Sequence, residues 1–356
     1  MRDAAASDGS AAGPWAGEAG IDGDVVVSVR VRLARNLQAT PFVWRASALQ
    51  RTEVIRATRE AAGAVGGLHW LELENAPWGQ RALLAERHLI SRNFCDAKGA
   101  RAVGLSPSET LSVMVNEEDH LRMQALRPGN SLQTAFADAT AMERLLSQHL
   151  DMAFDERWGY LTACPTNVGC GIRISAMVHL PGLRMAGQLD RVKRAAQELH
   201  LAVRGFAGEG SDAIADLFQI SNQVTLGVSE SALLGEFQDR ILPSVVQWER
   251  QARTAVARTD LLALQDRTAR GVALLQQARL MPLDEGLKLL GRLRLGVAME
   301  LASGLSLGQV NRLMLSIHPG HLSANANGPA ASGPPSDDRA HRADYLRLAI
   351  APVTPR

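Results

Sequence analysis

Between residues 24 and 205 the chain alternates two different periodicities. Runs with a two-residue beat are "DVVVSVRVRL" from Asp24, "TLSVMVN" from Thr110, "RISAMVHL" from Arg173 and "LAVRG" from Leu201. Stretches with a helical beat, such as 131–150 and 184–198, lie between them. A doubly wound fold would need a regular strand–helix–strand rhythm and a glycine-rich fingerprint after a strand. Neither occurs. The pattern predicts an α+β domain with a large antiparallel β-sheet flanked by helices, followed by an all-helical C-terminal domain. The second part begins with "SESALLGEFQDRILPSVVQWERQARTAVAR" from Ser229, a serine cap with a glutamate close behind, with Pro243 as an expected kink. Helices are expected to continue over 260–280, 283–303 and 306–316. The run 323–336 reads as a linker and 337–350 as a short charged helix. We divide the chain into a disordered segment 1–20, a catalytic-type domain 21–255 and a helical domain 256–350.

Composition narrows the function. The chain has 356 residues, 46% of them apolar, enough for two domains or for one large domain with an appendage. A net charge of +1 argues against general nucleic-acid or acidic-membrane binding. Lys98, Lys193 and Lys288 are the only lysines among 38 basic residues, so a cluster of arginines is less surprising here than usual. Cys95, Cys164 and Cys170 form no CxxC pair, which disfavours a disulfide framework or a structural zinc site. The first twenty residues lack the apolar core of a secretory signal, and no run of ~18 apolar residues occurs. The chain reads as soluble and cytoplasmic.

Several stretches could carry chemistry. In "SVRVRLARN", Arg30 and Arg32 are two apart on a strand and share a face, where paired guanidinium forks suit a polyphosphate. An exposed basic strand is the ordinary alternative. In "VMVNEEDHLR" a buried strand runs into carboxylates. If the strand continues, Glu117 and Glu118 point opposite ways, one into a cleft and one bracing the backbone. "CPTNVGCGIRISAM" is a turn of small residues leading to Arg173, either an ordinary hairpin or a backbone cradle. "VRGFAGEGSDA" places Arg204 at a strand end and Glu209 among glycines. No P-loop and no protein-kinase HRD or DFG set is present, so any bound ATP would be held by arginines. "HPGH" at 318–321 could suggest a metal, but Pro-Gly there reads as a helix end.

Taken in order, "SVRVRLARN", "RHLIS", "VNEEDHLR", "GYLTACPTNVGCGIR", "RGFAGEGSDA" and "QISNQVTLG" resemble the phosphagen (guanidino) kinase family, and within it the bacterial protein-arginine kinase branch. The likeness covers roughly 24–230. It implies ATP and Mg2+ as cofactors. Nucleotide contacts are implied along Ser28, Val29, Arg30, Val31 and Arg32, at His88 and Arg122, along Arg173, Ile174, Ser175, Ala176 and Met177, and along Arg204, Gly205, Phe206, Ala207, Gly208 and Glu209. Glu118 and Glu209 match the carboxylates that hold a substrate guanidinium, and Cys164 matches a cysteine beside it. No protein metal ligand is implied.

The resemblance also implies a substrate. Members acting on free arginine or creatine carry a helical domain before this core that closes over the small molecule. The short segment preceding "SVRVR" suggests an open pocket suited to arginine on a protein surface. The implied setting is a homodimer acting on protein substrates with exposed arginines, with an activator protein and protease–chaperone partners in a stress response. Three features depart from the family pattern: Cys170 in place of threonine, Val29 in place of a small residue, and "DRAHRA" in place of RDxxRA near the C-terminus. The last bears on a phosphoarginine pocket that would fall to Asp338, Arg339, Arg342 and Ala343. Two other readings stand beside this one: a kinase of a free guanidino metabolite, and a catalytically weak regulatory adaptor.

Overall fold

The computed structural model describes residues 13–63, 67–205, 214–327, 333–335 and 337–356. Its strands, in chain order, are β1 (Val26–Arg35), β2 (His69–Glu72), β3 (Ala102–Leu105), β4 (Leu111–Val115), β5 (Leu121–Pro128), β6 (Phe154–Asp155), β7 (Gly159–Tyr160), β8 (Ile172–His179), β9 (Leu201–Gly205), β10 (Leu217–Asn222), β11 (Ala302–Ser303) and β12 (Thr354–Pro355). The helices are α1 (Ala48–Gly63), α2 (Trp78–Glu86), α3 (Arg92–Asp96), α4 (Leu132–Ser147), α5 (Pro181–Met185), α6 (Leu189–Glu198), α7 (Glu230–Glu236), α8 (Leu242–Gln277), α9 (Leu283–Ala298), α10 (Leu307–Ser316), α11 (Pro319–Asn327) and α12 (Arg339–Ile350).

Eight of these strands form one sheet in the order β2-β3-β4-β5-β1-β8-β10-β9, with every neighbouring pair antiparallel. The two-residue alternation of β1 explains why it sits at the centre. Val29, Val31 and Leu33 are buried on one face against Met123, Ile172, Ile174 and Ala176, and helices α1, α4 and α5 close over them. Ser28, Arg30 and Arg32 take the other face. Removing the apolar side from water drives this half of the fold, at roughly 25 cal/mol per Å².

The helical C-terminal region has its own core, with Leu290, Leu293, Val310, Ile317, Leu346 and Ile350 at its centre. Helix α8 runs on past residue 255 and breaks at Asp260, whose carboxylate caps the second half by accepting from the Ala263 amide at 2.9 Å. A π-helical turn over Phe237–Ile241 precedes Pro243, so the irregularity expected at that proline falls just before it.

Three sequence expectations change. Residues 13–20 are not a loose tail: Pro14–Gly17 forms a 3-10 turn and Trp15 is buried against Ala16, Leu126 and Leu315. Residues 1–12 lie outside the described part. Residues 323–327 of the expected linker are helical, because α11 continues to Asn327, and 328–332 lie outside the described residues. Pro-Gly at 319–320 opens that helix, Pro319 being its first residue.

A buried polar joint fastens the helical region to the sheet. Arg294, fully buried, donates to Gly23 O at 2.6 Å, to Asp24 O at 2.9 Å and to Asn311 Oδ1 at 2.9 Å, with His179 Nδ1 at 3.0 Å. Beside it, Arg253 spans Glu249, the Asp24 carboxylate and His179 O. Burial and the neighbouring Arg253 pull the Arg294 guanidinium down to about 9. Arg294→Met would leave three buried acceptors without their donor. The expected loss is about 3–5 kcal/mol, read as a lower urea midpoint. A midpoint equal to wild type would mean that the joint contributes nothing to the fold.

Candidate active site

The register of the sheet assembles the site. Arg32 lies directly opposite Arg173, Arg30 opposite Ser175, Ala34 opposite Arg122, and Gln219 opposite both Met177 and Arg204. Five arginines drawn from four strands therefore share one face: Arg30, Arg32, Arg122, Arg173 and Arg204. Like charges directly opposite each other on a sheet are destabilising. The cost is visible in their acidity. Burial first, then Arg173 and Arg122, pull Arg30 down to about 10. Burial and the arginines around it push Arg32 well below the ordinary arginine value. Partners offset this only in part: Gln219 Oε1 is 3.4 Å from Arg30, Ser221 Oγ accepts from Arg173 at 3.1 Å, and Arg32 Nε is buried with no hydrogen-bond partner among the described residues. A polyphosphate would neutralise the cluster and supply the missing acceptors.

Two cavities open along this face. One, of about 420 Å³, is lined by the five arginines together with Glu118, Cys164, Thr166 and Asn167. The other, of about 310 Å³, is lined by Ser28, His88, Ser91, Leu126, Ser175 and Met177 among others. Arg30, Arg32 and Gln219 line both, so the two adjoin along these side chains.

The carboxylates answer to a turn rather than to a strand. Strand β4 ends at Val115, and Asn116 adopts φ +62°, a left-handed conformation that asparagine tolerates. The chain then folds back, with the Asn116 amide donating to His120 O. Glu117 is the brace: it accepts from Ser91 Oγ at 2.6 Å, Arg122 Nη1 at 2.9 Å and the Glu118 amide at 2.9 Å. The Glu118 side chain is 47% exposed and takes one bond from Arg122 Nη2 at 3.2 Å, so it can still receive a substrate. Both carboxylates converge on Arg122 instead of facing apart, with Glu117 buried and Glu118 on the cavity wall.

Residues outside the expected set hold this turn in place. Asn36 accepts from the His120 amide at 2.9 Å and donates to Asp119 Oδ1 at 2.6 Å and to Leu161 O at 3.0 Å. Asp119 also accepts from the Ala163 amide at 2.7 Å, next to Cys164. Burial raises the Asp119 pKa and lowers that of His120. His120 Nδ1 accepts from the Leu37 amide, so its Nε2 carries the proton donated to Pro41 O. The last letter of "SVRVRLARN" signalled Asn36; nothing local revealed its task. Gln219 could have been found by extending the two-residue alternation through "FQISN".

His88 reaches its cavity through a backbone device. It occupies the left-handed position after α2, φ +59°, with its amide donating to Ala85 O and that of Leu89 to Leu84 O. This is the position that glycine usually fills at a helix end. Its ring is 6.2 Å from Trp15. Burial and Arg30 lower the imidazole to about 3, so it is neutral at working pH.

Other expected residues fall as follows. Ser28, Ser175 and Met177 line the cleft, and Gly205 borders it. Val29, Val31, Ile174 and Ala176 do not: their side chains lie on the opposite face in the core, as alternation requires. Cys164 is half-buried on the cleft wall with Sγ 3.0 Å from Thr166 Oγ1. Phe206, Ala207, Gly208 and Glu209 lie outside the described residues. Arg342 is buried and committed to Ile317 O, Met281 O and Asp338, while Ala343 is core and Arg339 pairs on the surface with Asp337. These residues form a clasp between helices, and Arg342 is not open to a ligand as the phosphoarginine pocket would require. His321 of "HPGH" pairs with Glu86, and no metal-binding group of three His, Cys, Asp or Glu occurs among the described residues.

Known proteins extend this picture. Residues 51–252 match the family model "ATP:guanido phosphotransferase, C-terminal catalytic domain", and residues 262–355 match "Protein-arginine kinase McsB C-terminal domain". The break at Asp260 falls between the two matches. A protein-arginine kinase of Halothermothrix orenii is 38% identical over 310 residues, covering 86% of this chain and 88% of its own. The chain belongs to the protein-arginine kinases of the ATP:guanido phosphotransferase family. Another member, from Moorella thermoacetica, is 38% identical over 343 residues, covering 95% of this chain and 97% of its own. Among solved structures, lombricine kinase superposes with a TM-score of 0.57 at 25% identity, covering 65% of this chain and 68% of that one. The antiparallel sheet with flanking helices is the guanidino-kinase fold. Among the described residues no helix is long and apolar enough to cross a membrane.

Two outcomes follow for the uncharged and charged groups of the cleft. Arg32→Met relieves repulsion, so the ligand-free protein should melt higher than wild type, while the rise in Tm that ATP gives wild type should be lost. A lower ligand-free Tm would show that Arg32 is not under charge strain. His88 at about 3 and His318 at about 4 resist protonation in the folded state, against about 6.5 unfolded. Their contribution is complete above pH 6.5 and declines as pH falls, by about 1.4 kcal/mol per pH unit for each. Thermal melts from pH 7.5 to 5 should show this decline beginning near 6.5. A flat profile down to pH 5 would contradict it.

Proposed function

We propose that the chain transfers the γ-phosphoryl group of ATP to arginine side chains of proteins, with the nucleoside in the His88 cavity and the target guanidinium beside Glu118 and Cys164. The observation that carries this reading is the pair of adjoining cavities: the arginines that line both lie where a polyphosphate would join nucleoside to guanidinium. An arginine side chain is a poor nucleophile because its guanidinium stays protonated. Glu118 can align the planar fork and accept a proton as the new N–P bond forms. Glu209 is assigned the second carboxylate. The five arginines hold the three phosphates and stabilise the transferring group, so the catalysis is mostly positioning and electrostatics.

Magnesium fits this arrangement. The ion needs few protein ligands, because it keeps waters and binds nucleotide phosphates. Glu118, on the wall of the arginine cavity, is the carboxylate that could reach its waters. When bound, the ion neutralises phosphate charge. The same reading takes the protein as a cytoplasmic homodimer in a stress response, with an activator and protease–chaperone partners.

The test is incubation with ATP, Mg2+ and an unstructured arginine-containing protein such as casein, followed by mass spectrometry without acid. Wild type should place phosphate on arginine. Glu118→Gln should bind ATP with wild-type affinity and lose at least a hundredfold in transfer, the usual range of ~10²–10⁴ for a general base. Transfer at the wild-type rate would rule out Glu118 as the base. Consumption of free arginine with none on protein would overturn the substrate.

A further inference from the structure

Building on the reading of the cleft as a nucleotide site, we propose that the helical C-terminal region completes the nucleoside wall, with His318 contacting the purine base. His318 lies in the α10–α11 connection, far in sequence from the rest of the cavity, yet lines it together with Ser28, His88 and Met177. Only 9% of its surface is exposed, and its side chain borders the cavity. An imidazole on a cavity wall can exchange hydrogen bonds with a ligand that fills the cavity.

The position of this ring is fixed from the catalytic side. Glu86, at the end of α2, accepts from the Gly320 amide at 2.7 Å and the His321 amide at 2.9 Å, holding the start of α11. Its other link is to His321 Nδ1 at 2.8 Å. His321 Nε2 accepts from Arg87 Nε at 3.3 Å, and Arg87 is bonded in turn to Glu109 at 2.7 Å. Helix α2 thus carries His88 just beyond its end and clamps the loop that carries His318. The two imidazoles are linked through α2 by these hydrogen bonds, although they come from distant parts of the chain. Burial and nearby cations keep His318 neutral, at about 4. A neutral imidazole can donate at one nitrogen and accept at the other, which suits the mixed donor and acceptor edge of a purine. Arg30 and Arg32 line the arginine cavity as well and would take the phosphates, which leaves the two histidines for the base.

The experiment uses the full chain and isothermal titration with two probes, ATP and inorganic tripolyphosphate. His318→Leu removes the hydrogen-bonding groups and keeps bulk; His318→Gln keeps an amide. His318→Leu should weaken ATP roughly three- to tenfold and leave tripolyphosphate unchanged, with His318→Gln closer to wild type. Glu86→Gln, which weakens the clamp with the imidazole intact, is the second variant and should lose ATP affinity with the same selectivity. Unchanged ATP affinity in His318→Leu, or equal losses for both probes, would overturn the assignment. Should His318→Leu not fold, equal losses for both probes in Glu86→Gln would overturn it. A wild-type protein with no preference for ATP over tripolyphosphate would defeat the nucleotide reading itself, a separate result from failure of His318 alone.

Discussion

The constraint on which the site depends is repulsion. Arg32 and Arg173 are held opposite one another by the pairing of β1 and β8, and Arg30 and Arg122 stand nearby. An isolated sheet would not tolerate this face. It persists because the reverse faces of the same strands bury Val29, Val31, Ile172 and Ile174, and the register that satisfies the core leaves the arginines no alternative. Charge strain is stored in the pairing of the strands, and an anion held on this face would relieve it.

Around that face, the polar supports come in layers. Glu117 satisfies Arg122 and thereby leaves Glu118 largely open to solvent. Asn36 bonds both to the β4–β5 turn and to the segment leading to Cys164. The carboxylate and the thiol on the cleft wall are therefore set by one side chain. The joint built on Arg294 and Arg253 fastens the helical region to the segment that enters β1 and to the end of β8.

Much of this was legible in the sequence because it is periodic. Alternation in "SVRVR" put Arg30 and Arg32 on one face and also implied that Val29 and Val31 must leave it, although the motif taken as a block suggested otherwise. The short strands β2 and β3 lack long alternating runs, and β5 reads as a continuation of the charged turn before it. The position of His318 on the cavity wall had no local signal, since it depends on a helix packed against α2 from more than two hundred residues away in sequence. The burial of Trp15 was hidden for the same reason: alanine and glycine neighbours suggested a loose tail, while its partners Leu126 and Leu315 are remote. Arg342 shows the converse. A motif letter survives, yet its guanidinium is spent on carbonyls of the fold.

The left-handed residue after α2 has an engineering consequence. Glycine there would remove backbone strain and shorten the list of states the helix end must avoid, so any procedure that optimises helix termini for thermostability would choose it. That choice would erase the imidazole from the cleft. The chain is less stable at this point than its local geometry permits, and a thermostabilised variant of it would have to treat position 88 as fixed.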